Sequence, residues 1–430
     1  MRLFAPFGGL IAVLVVPFLL ADAGGWSGQR SFSAELGSTL GISALGVLAI
    51  MVLLPARSRV LSGLGADAAV RMHRHLVRVL LALLAGHIIL AVAVQPARYA
   101  LLLVVGQPWR AQAAVSSVLC LGALALLSVW RRRLRIPYAA WRALHGGLAV
   151  ATLVLAAVHT YGWHRYLGHG GGTVALCLLV AAPLGALAML RGRRRKACAT
   201  YLLQGITPEA GRSTSLRLRA EDPAGRAFEP GQFAWLRLAD EGTRFAEHPF
   251  SYSSSAADPS LISFTVRAYD GFSARVARLP VGTRFVVDGP HGGFRMRARA
   301  RGVLLIAYGI GITPSMSVLR TAADRGDTRS FVLFYANRSI EDVAFGAELE
   351  RLRERIDLSV VSVLSQPPEH WPGERGRLTA AVLERHLPAT LARWDFFLCG
   401  AGAPVDSGVA ALGELGVPSE RVHAERFVDV

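Results

Sequence analysis

The chain has 430 residues, 52% hydrophobic and only 18% charged, and its 47 Lys and Arg outnumber 30 Asp and Glu to give a formal net charge of +17. Such a charge could suit nucleic acid, but much of it flanks apolar runs, where anionic lipid headgroups account for it more economically and nucleic acid is not an expected partner. Four cysteines form no disulfide framework or metal spacing: Cys120 and Cys177 lie inside apolar runs, Cys198 follows the last of them, and Cys399 falls in a later motif. There is no internal repeat or low-complexity tract.

The apolar runs are confined to roughly the first 190 residues. Six spans of bilayer length are predicted, at about 4–20, 34–54, 72–94, 111–130, 138–160 and 173–190. Arg2 before the first run resembles the start of a signal peptide, but no convincing small-residue cleavage site follows and the bundle requires an inside start. Arg57, Arg59, Arg71 and Arg74 flank one loop, RRRLR fills 131–135, and RGRRRK follows the sixth span at 191–196. The opposite loops are poorer in Lys and Arg. The positive-inside rule then places both termini in the cytoplasm of a multi-pass protein of the cell membrane.

Four histidines stand out in these spans. His73 and His87 are fourteen residues apart, and so are His145 and His159. Fourteen residues make almost four helical turns, so each pair shares one face with a rise of about 21 Å. The third and fifth spans run parallel in this topology, which brings His73 to His145 near the cytoplasm and His87 to His159 near the exterior. Two bis-histidine levels suit two b-type haems, because imidazole is a good axial ligand. The plain alternative is a polar side chain bonded across helices. His75 has no counterpart fourteen residues on and reads as a spare at the membrane edge. Arg71, Arg74, Arg78 and Arg142 near the inner pair serve as positive-inside anchors or as partners for haem propionates. No bridging aromatic side chain is found between the two levels.

Beyond residue 196 the pattern turns globular. Short β-rich runs, STSLRLRA, QFAWLRLA, LISFTVRAY and TRFVVDGP, are broken by Gly, Pro and Asp turns and predict a small antiparallel barrel over 196–299. From 300 to 430 apolar runs alternate with helical patterns: GVLLIAYG, SFVLFYAN, LSVVSVL and WDFFLCG each end near a turn or a helix start. That alternation predicts a doubly wound parallel sheet. The fold class is therefore an all-α six-helix transmembrane bundle (1–195), an antiparallel β-barrel (196–299) and an α/β nucleotide-binding domain (300–430).

Motifs in the soluble half resemble a known family. HPFSYSS at 248–254 follows EPGQFAWLRL, and DGPHGGF at 288–294 follows LISFTVRAYDGFSARV. Together they resemble the flavin-binding barrel of the ferredoxin-reductase superfamily, in the variant found in transmembrane NADPH oxidases and ferric reductases. The resemblance lays His248, Pro249, Phe250 and Ser251 along FAD, with His248 at its phosphates, Phe250 lining the flavin and Ser251 near N5. It gives Arg267 and Ser273 to the pyrophosphate, a role that suits a guanidinium and a helix-start hydroxyl. YGIGITP at 308–314 resembles the family's GGIGITP nucleotide loop, with Gly309, Gly311, Thr313 and Pro314 in place and Tyr308 where a glycine is usual. In YANRS, Arg338 and Ser339 match the position that reaches the 2′-phosphate of NADPH, which favours NADPH while leaving NADH possible. Cys399 in FFLCGAG matches the cysteine beside the nicotinamide, although Ala401 replaces the family's proline. VHAERF resembles the closing segment whose aromatic, here Phe427, covers the flavin, and three residues follow it.

The resemblance covers nearly the whole chain. It implies that cytoplasmic NADPH reduces FAD and that two haems carry single electrons to an external acceptor. Ferric iron or its chelates are the favoured acceptor. Oxygen, giving superoxide, and quinone are alternatives that the fold does not separate. The outer loop, with Trp163, His164, Arg165 and His169, is a candidate acceptor site or an interfacial anchor. A cytochrome b subunit serving a separate partner remains a reading of another class, resting on Tyr308 and Ala401, and a haem-storage anchor is a further one. Oligomeric state is not legible in the sequence.

Overall fold

The computed structural model describes residues 32–54, 66–94, 106–131, 133–162, 171–239, 247–268, 271–294, 296, 300–388, 391 and 393–427. The chain divides into two compact units near Arg195.

In the first unit five helices are long and apolar enough to cross a membrane. They are α1 (Phe32–Leu53), α2 (Ala66–Val94), α3 (Trp109–Trp130), α4 (Tyr138–Tyr161) and α5 (Gly171–Ala197). The expected span at 4–20 and the loop carrying Trp163, His164, Arg165 and His169 lie outside the described residues, so five of the six expected helices are placed. Pro108 and Pro137 sit immediately before α3 and α4. Neither needs a donor there, and their carbonyls accept from Ala111 and Trp141 of the first turns at 2.8 and 3.0 Å. Leu45, Val47, Leu48 and Met51 of α1 pack with Leu76, Leu80, Leu153 and Leu187 to form the core. Ile89, Leu119 and Leu178 instead point outward, each at least 60% exposed. A bundle with apolar side chains on its outside as well as its inside is built for lipid.

The second unit holds two six-stranded sheets. The first comprises β1 (Ala199–Glu209), β2 (Ser213–Ala220), β3 (Phe233–Leu238), β4 (His248–Ser251), β5 (Leu261–Arg267) and β6 (Arg284–His291), in the antiparallel order β4-β3-β6-β1-β2-β5. Tyr201, Leu216, Leu218, Leu236, Tyr252, Ile262, Phe264 and Phe285 fill its concave side. The expected barrel is not a closed ladder. Its edge strands meet through a single bridge, Tyr252 with Phe264, helped by the Ser253 amide donating to the Ser263 carbonyl at 2.8 Å. One cause is local: β4 has only four residues, and Pro249 has no N–H to give.

The second sheet is parallel throughout, in the order β10-β9-β8-β7-β11-β12. Its strands are β7 (Gly302–Tyr308), β8 (Ser330–Asn337), β9 (Leu358–Leu364), β10 (Glu374–Arg375), β11 (Trp394–Ala401) and β12 (Val422–Phe427). Helices α7 (Ile312–Arg325) and α8 (Gly346–Arg353) cover one face, and α9 (Ala380–His386) and α10 (Gly402–Glu414) the other. The winding reverses between β7 and β11. Ligands of open α/β sheets bind at such a switch point, outside the carboxyl ends of the strands.

A polar seam joins the two sheets within this unit. Arg320 of α7 grips Glu348 through two bonds of 2.7 Å and also donates to the Ser253 carbonyl. The Ala256 amide donates to Thr321 Oγ1 at 2.8 Å. These contacts tie the HPFSYSS segment to the first helix after the nucleotide loop. At the far end of the parallel sheet, Gly302 lies flat against Trp394, and a Cβ placed on it would overlap the indole. Gly302→Ala is therefore expected to destabilise this unit by about 1–3 kcal/mol, the usual cost of overpacking. Thermal unfolding followed by near-ultraviolet circular dichroism checks this, and an unchanged midpoint contradicts it.

Candidate functional site

Helices α2 and α4 bring the four expected histidines together in two pairs. The ring centres of His73 and His145 are 6.2 Å apart, and those of His87 and His159 are 6.3 Å apart. Two imidazoles sharing one metal place their centres about 6 Å apart, given about 2 Å per metal–nitrogen bond. The second ring nitrogens are also accounted for. His87 Nδ1 lies 2.7 Å from the Gly37 carbonyl and His159 Nδ1 lies 2.9 Å from the Arg110 carbonyl. A carbonyl can only accept, so both Nδ1 atoms carry the proton and both Nε2 lone pairs are left for a metal. Ser128 Oγ, 3.3 Å from His145 Nδ1, donates its own proton to the Leu124 carbonyl at 2.8 Å. Its oxygen is thereby left to accept, which gives His145 the same tautomer.

Glycines make these approaches possible. A Cβ on Gly41 would stand 2.8 Å from His87 Nδ1, and one on Gly162 would stand 2.6 Å from the Arg110 Cβ. Trp141, one turn before His145, places its ring centre 5.0 Å from that imidazole, with the Arg131 guanidinium 5.4 Å from the indole centre. This aromatic lies beside the first histidine level and not between the two. Among the described residues no third His, Cys, Asp or Glu joins either pair.

In the second unit His248, Pro249, Phe250 and Ser251 form β4. Phe272 of the short helix α6 (Gly271–Val276) stacks on His248 at 4.4 Å and approaches Phe250 at 6.1 Å, and Ser273 follows it on the same turn. Ser251 is buried and pairs across β3 through Phe233, which also pairs with His291. Asp288 and His291, 3.1 Å apart, add a titratable pair to this row.

The glycine loop lies at the switch point. Gly309 has φ of 55°, and a Cβ on Gly311 would collide with the Cys399 carbonyl, so these positions hold the ends of β7 and β11 in contact. Thr313 and Pro314 are buried in the first turn of α7, with Thr313 Oγ1 donating to the Ile310 carbonyl at 3.2 Å. Cys399 is fully buried and pairs in register with Ala307 and Glu425. Tyr308 fits because glycines surround it: Gly400 meets its Cβ and Gly408 its hydroxyl. Burial pushes that phenol well above its usual range. Arg338 follows β8 and donates through Nε to Gln366 Oε1 at 2.9 Å, and Ser339 leads into a turn at Ile340–Asp342. Phe427 ends β12, paired with Ala401 and 38% exposed. Arg267 reaches this neighbourhood: it pairs with Asp342 at 2.9 Å and borders Gly309.

Several of these participants were not singled out from the sequence. Gly37 and Arg110 act through carbonyls, which every residue has, although glycines four apart at 37 and 41 hint at close helix packing. Glu425 becomes visible through its parallel register with Cys399, and Gly292 packs against its carboxylate, a Cβ there lying 3.1 Å from Oε1.

Residues 40–156 match the ferric reductase like transmembrane component, and residues 305–405 match the oxidoreductase NAD-binding domain. The chain is 32% identical over 204 residues to the ferredoxin reductase component of 3-ketosteroid-9-alpha-monooxygenase from Rhodococcus rhodochrous, covering 47% of this chain and 56% of that one. It is 29% identical over 233 residues to the reductase component of propane 2-monooxygenase from Rhodococcus jostii, covering 52% and 61%. The chain thus spans less than two thirds of either relative. A flavohemoglobin structure from Malassezia yamatoensis superposes with a TM-score of 0.52 over 94% of this chain and all of that one, at 16% identity, a likeness of fold alone. The chain therefore joins a segment that matches a ferric reductase like transmembrane component to one that matches an oxidoreductase NAD-binding domain.

Proposed function

We propose that the protein carries electrons from cytoplasmic NADPH, through FAD and two b-type haems, to an acceptor across the membrane, with ferric iron or its chelates as the favoured acceptor. The observation that carries this reading is the pair of histidine levels, 6.2 and 6.3 Å between ring centres, with Nδ1 occupied on three of the four rings. A bare metal ion would find only two protein ligands at each level among the described residues. A haem would bring most of its iron's ligands with it and would need only the two imidazoles that each level offers. Bound FAD would convert hydride into single electrons, and the haems would pass those on one at a time.

The chain's own residues position these groups. His73 with His145 and His87 with His159 would hold one haem each. The carbonyls of Gly37 and Arg110 and the hydroxyl of Ser128 orient three of the rings and raise their basicity toward iron. His248, Pro249, Phe250, Ser251 and Ser273 would seat the flavin, with Ser251 offering a hydroxyl donor to its reactive edge. Gly309, Gly311, Thr313 and Pro314 would cradle the nucleotide phosphates at the start of α7. Arg338 and Ser339 would select the 2′-phosphate. Cys399 would stand behind the nicotinamide, and Phe427 would shield the flavin until the nicotinamide displaces it. The basic clusters at 131–135 and 191–196 support a topology with both termini on the cytoplasmic side of the cell membrane.

Gly41→Ala pushes a methyl group into the His87 ring. The expected result is loss or spectral change of one haem with the other intact, read by optical spectroscopy of the purified reduced protein. Two unaltered haems would contradict the placement. The acceptor is tested by NADPH consumption of the purified, FAD-supplied protein with and without a ferric chelate, in air and under nitrogen. Turnover that persists without oxygen when iron is present supports metalloreduction. Turnover that needs oxygen and ignores iron makes the protein a superoxide-forming oxidase.

A further inference from the structure

By its resemblance Arg267 is expected to face a phosphate, yet its guanidinium is already engaged. Arg267 Nη2 donates to Asp342 Oδ1 at 2.9 Å, with the two side chains 29% and 20% exposed. The same guanidinium borders the nucleotide loop, Nη1 lying 3.7 Å from the position of a Cβ on Gly309. Asp342 closes the turn Ile340–Asp342, which begins directly after Ser339. That turn is held from the other sheet: the Gly211 amide donates to the Glu341 carbonyl at 2.8 Å, and a Cβ on Gly211 would stand 3.0 Å from the Asp342 carbonyl oxygen. A carboxylate is thus fixed beside the glycine loop, at the carboxyl edge of the parallel sheet, where a bound dinucleotide would bring its own negative charge.

We infer that Asp342 is a placeholder for a dinucleotide pyrophosphate: it neutralises Arg267 until a phosphate displaces it, and so sets the affinity for that dinucleotide. The inference rests on the reading that this half binds FAD and NADPH, either of which could supply the pyrophosphate. The ion pair uses one guanidinium nitrogen and is partly solvated, and pairs of that kind contribute little. A phosphate can engage the guanidinium through two nitrogens, which is the stronger arrangement. A purely structural latch predicts the opposite sign, because removing it would loosen the seam and weaken binding.

The test measures binding to the full-length protein in lipid nanodiscs. FAD is titrated by quenching of its fluorescence, and NADP+, which cannot reduce flavin, is titrated into the FAD-loaded protein by difference absorbance. Asp342→Asn is expected to lower the Kd for one of the two by about tenfold, as removal of a competing closed state does. Asp342→Glu, which keeps the charge, is expected to stay near wild type. A change in the FAD arm assigns Arg267 to the flavin's pyrophosphate, and a change in the NADP+ arm assigns it to the nicotinamide dinucleotide. Unchanged or weakened binding of both by Asp342→Asn overturns the inference while leaving the functional reading in place. A wild-type protein that binds neither overturns that reading and the inference with it. If Asp342→Asn does not fold, Asp342→Ser is measured in its place.

Discussion

An imidazole binds iron only through a nitrogen without a proton, so a bis-histidine site depends on what its other ring nitrogen touches. Here that second contact is made by backbone. The carbonyls of Gly37 and Arg110 can only accept, which fixes the protons of His87 and His159 on Nδ1 and leaves both Nε2 lone pairs available. Those carbonyls arrive because Gly41 and Gly162 have no side chain to hold neighbouring helices away. Helix packing, tautomer and ligand geometry are therefore one constraint. The histidines on α2 and α4 would be polar groups stranded among aliphatic side chains without it.

The soluble half relies on the same device with different chemistry. Gly311 lets β7 touch β11 at the Cys399 carbonyl, and Gly309 turns the chain at positive φ, so the nucleotide loop lies at the point where the sheet reverses its winding. Tyr308 departs from the usual glycine but does not disturb the loop, since Gly400 and Gly408 leave room for its ring. Arg320 then ties this sheet to the HPFSYSS segment. A hydride donor and its acceptor need a fixed relation, and that ion-paired arginine spans the two segments expected to hold them.

Much of this was readable in advance because it is periodic or punctuated. The fourteen-residue spacing fixed which faces of two helices carry histidine, and the glycine runs after apolar strands located the turn at Gly309–Gly311. What escaped has no local signature. The acceptor for His87 lies 50 residues away in a backbone carbonyl, and Asp342, which pairs with Arg267, lies 75 residues on in a turn that follows a strand of the other sheet. The barrel was expected from short β-rich runs between turn residues, which do not register that β4 is only four residues long and pairs with β5 through little more than a bridge. The Glu425 side of the site follows only from strand register, which no single segment encodes.

The central claim is that two histidine pairs hold two haems, and the most direct measurement is the haem-to-protein ratio of the purified chain combined with low-temperature electron paramagnetic resonance of the oxidised form. The account predicts two haems per chain, both low-spin and six-coordinate. One haem, none, or a high-spin five-coordinate signal would contradict it.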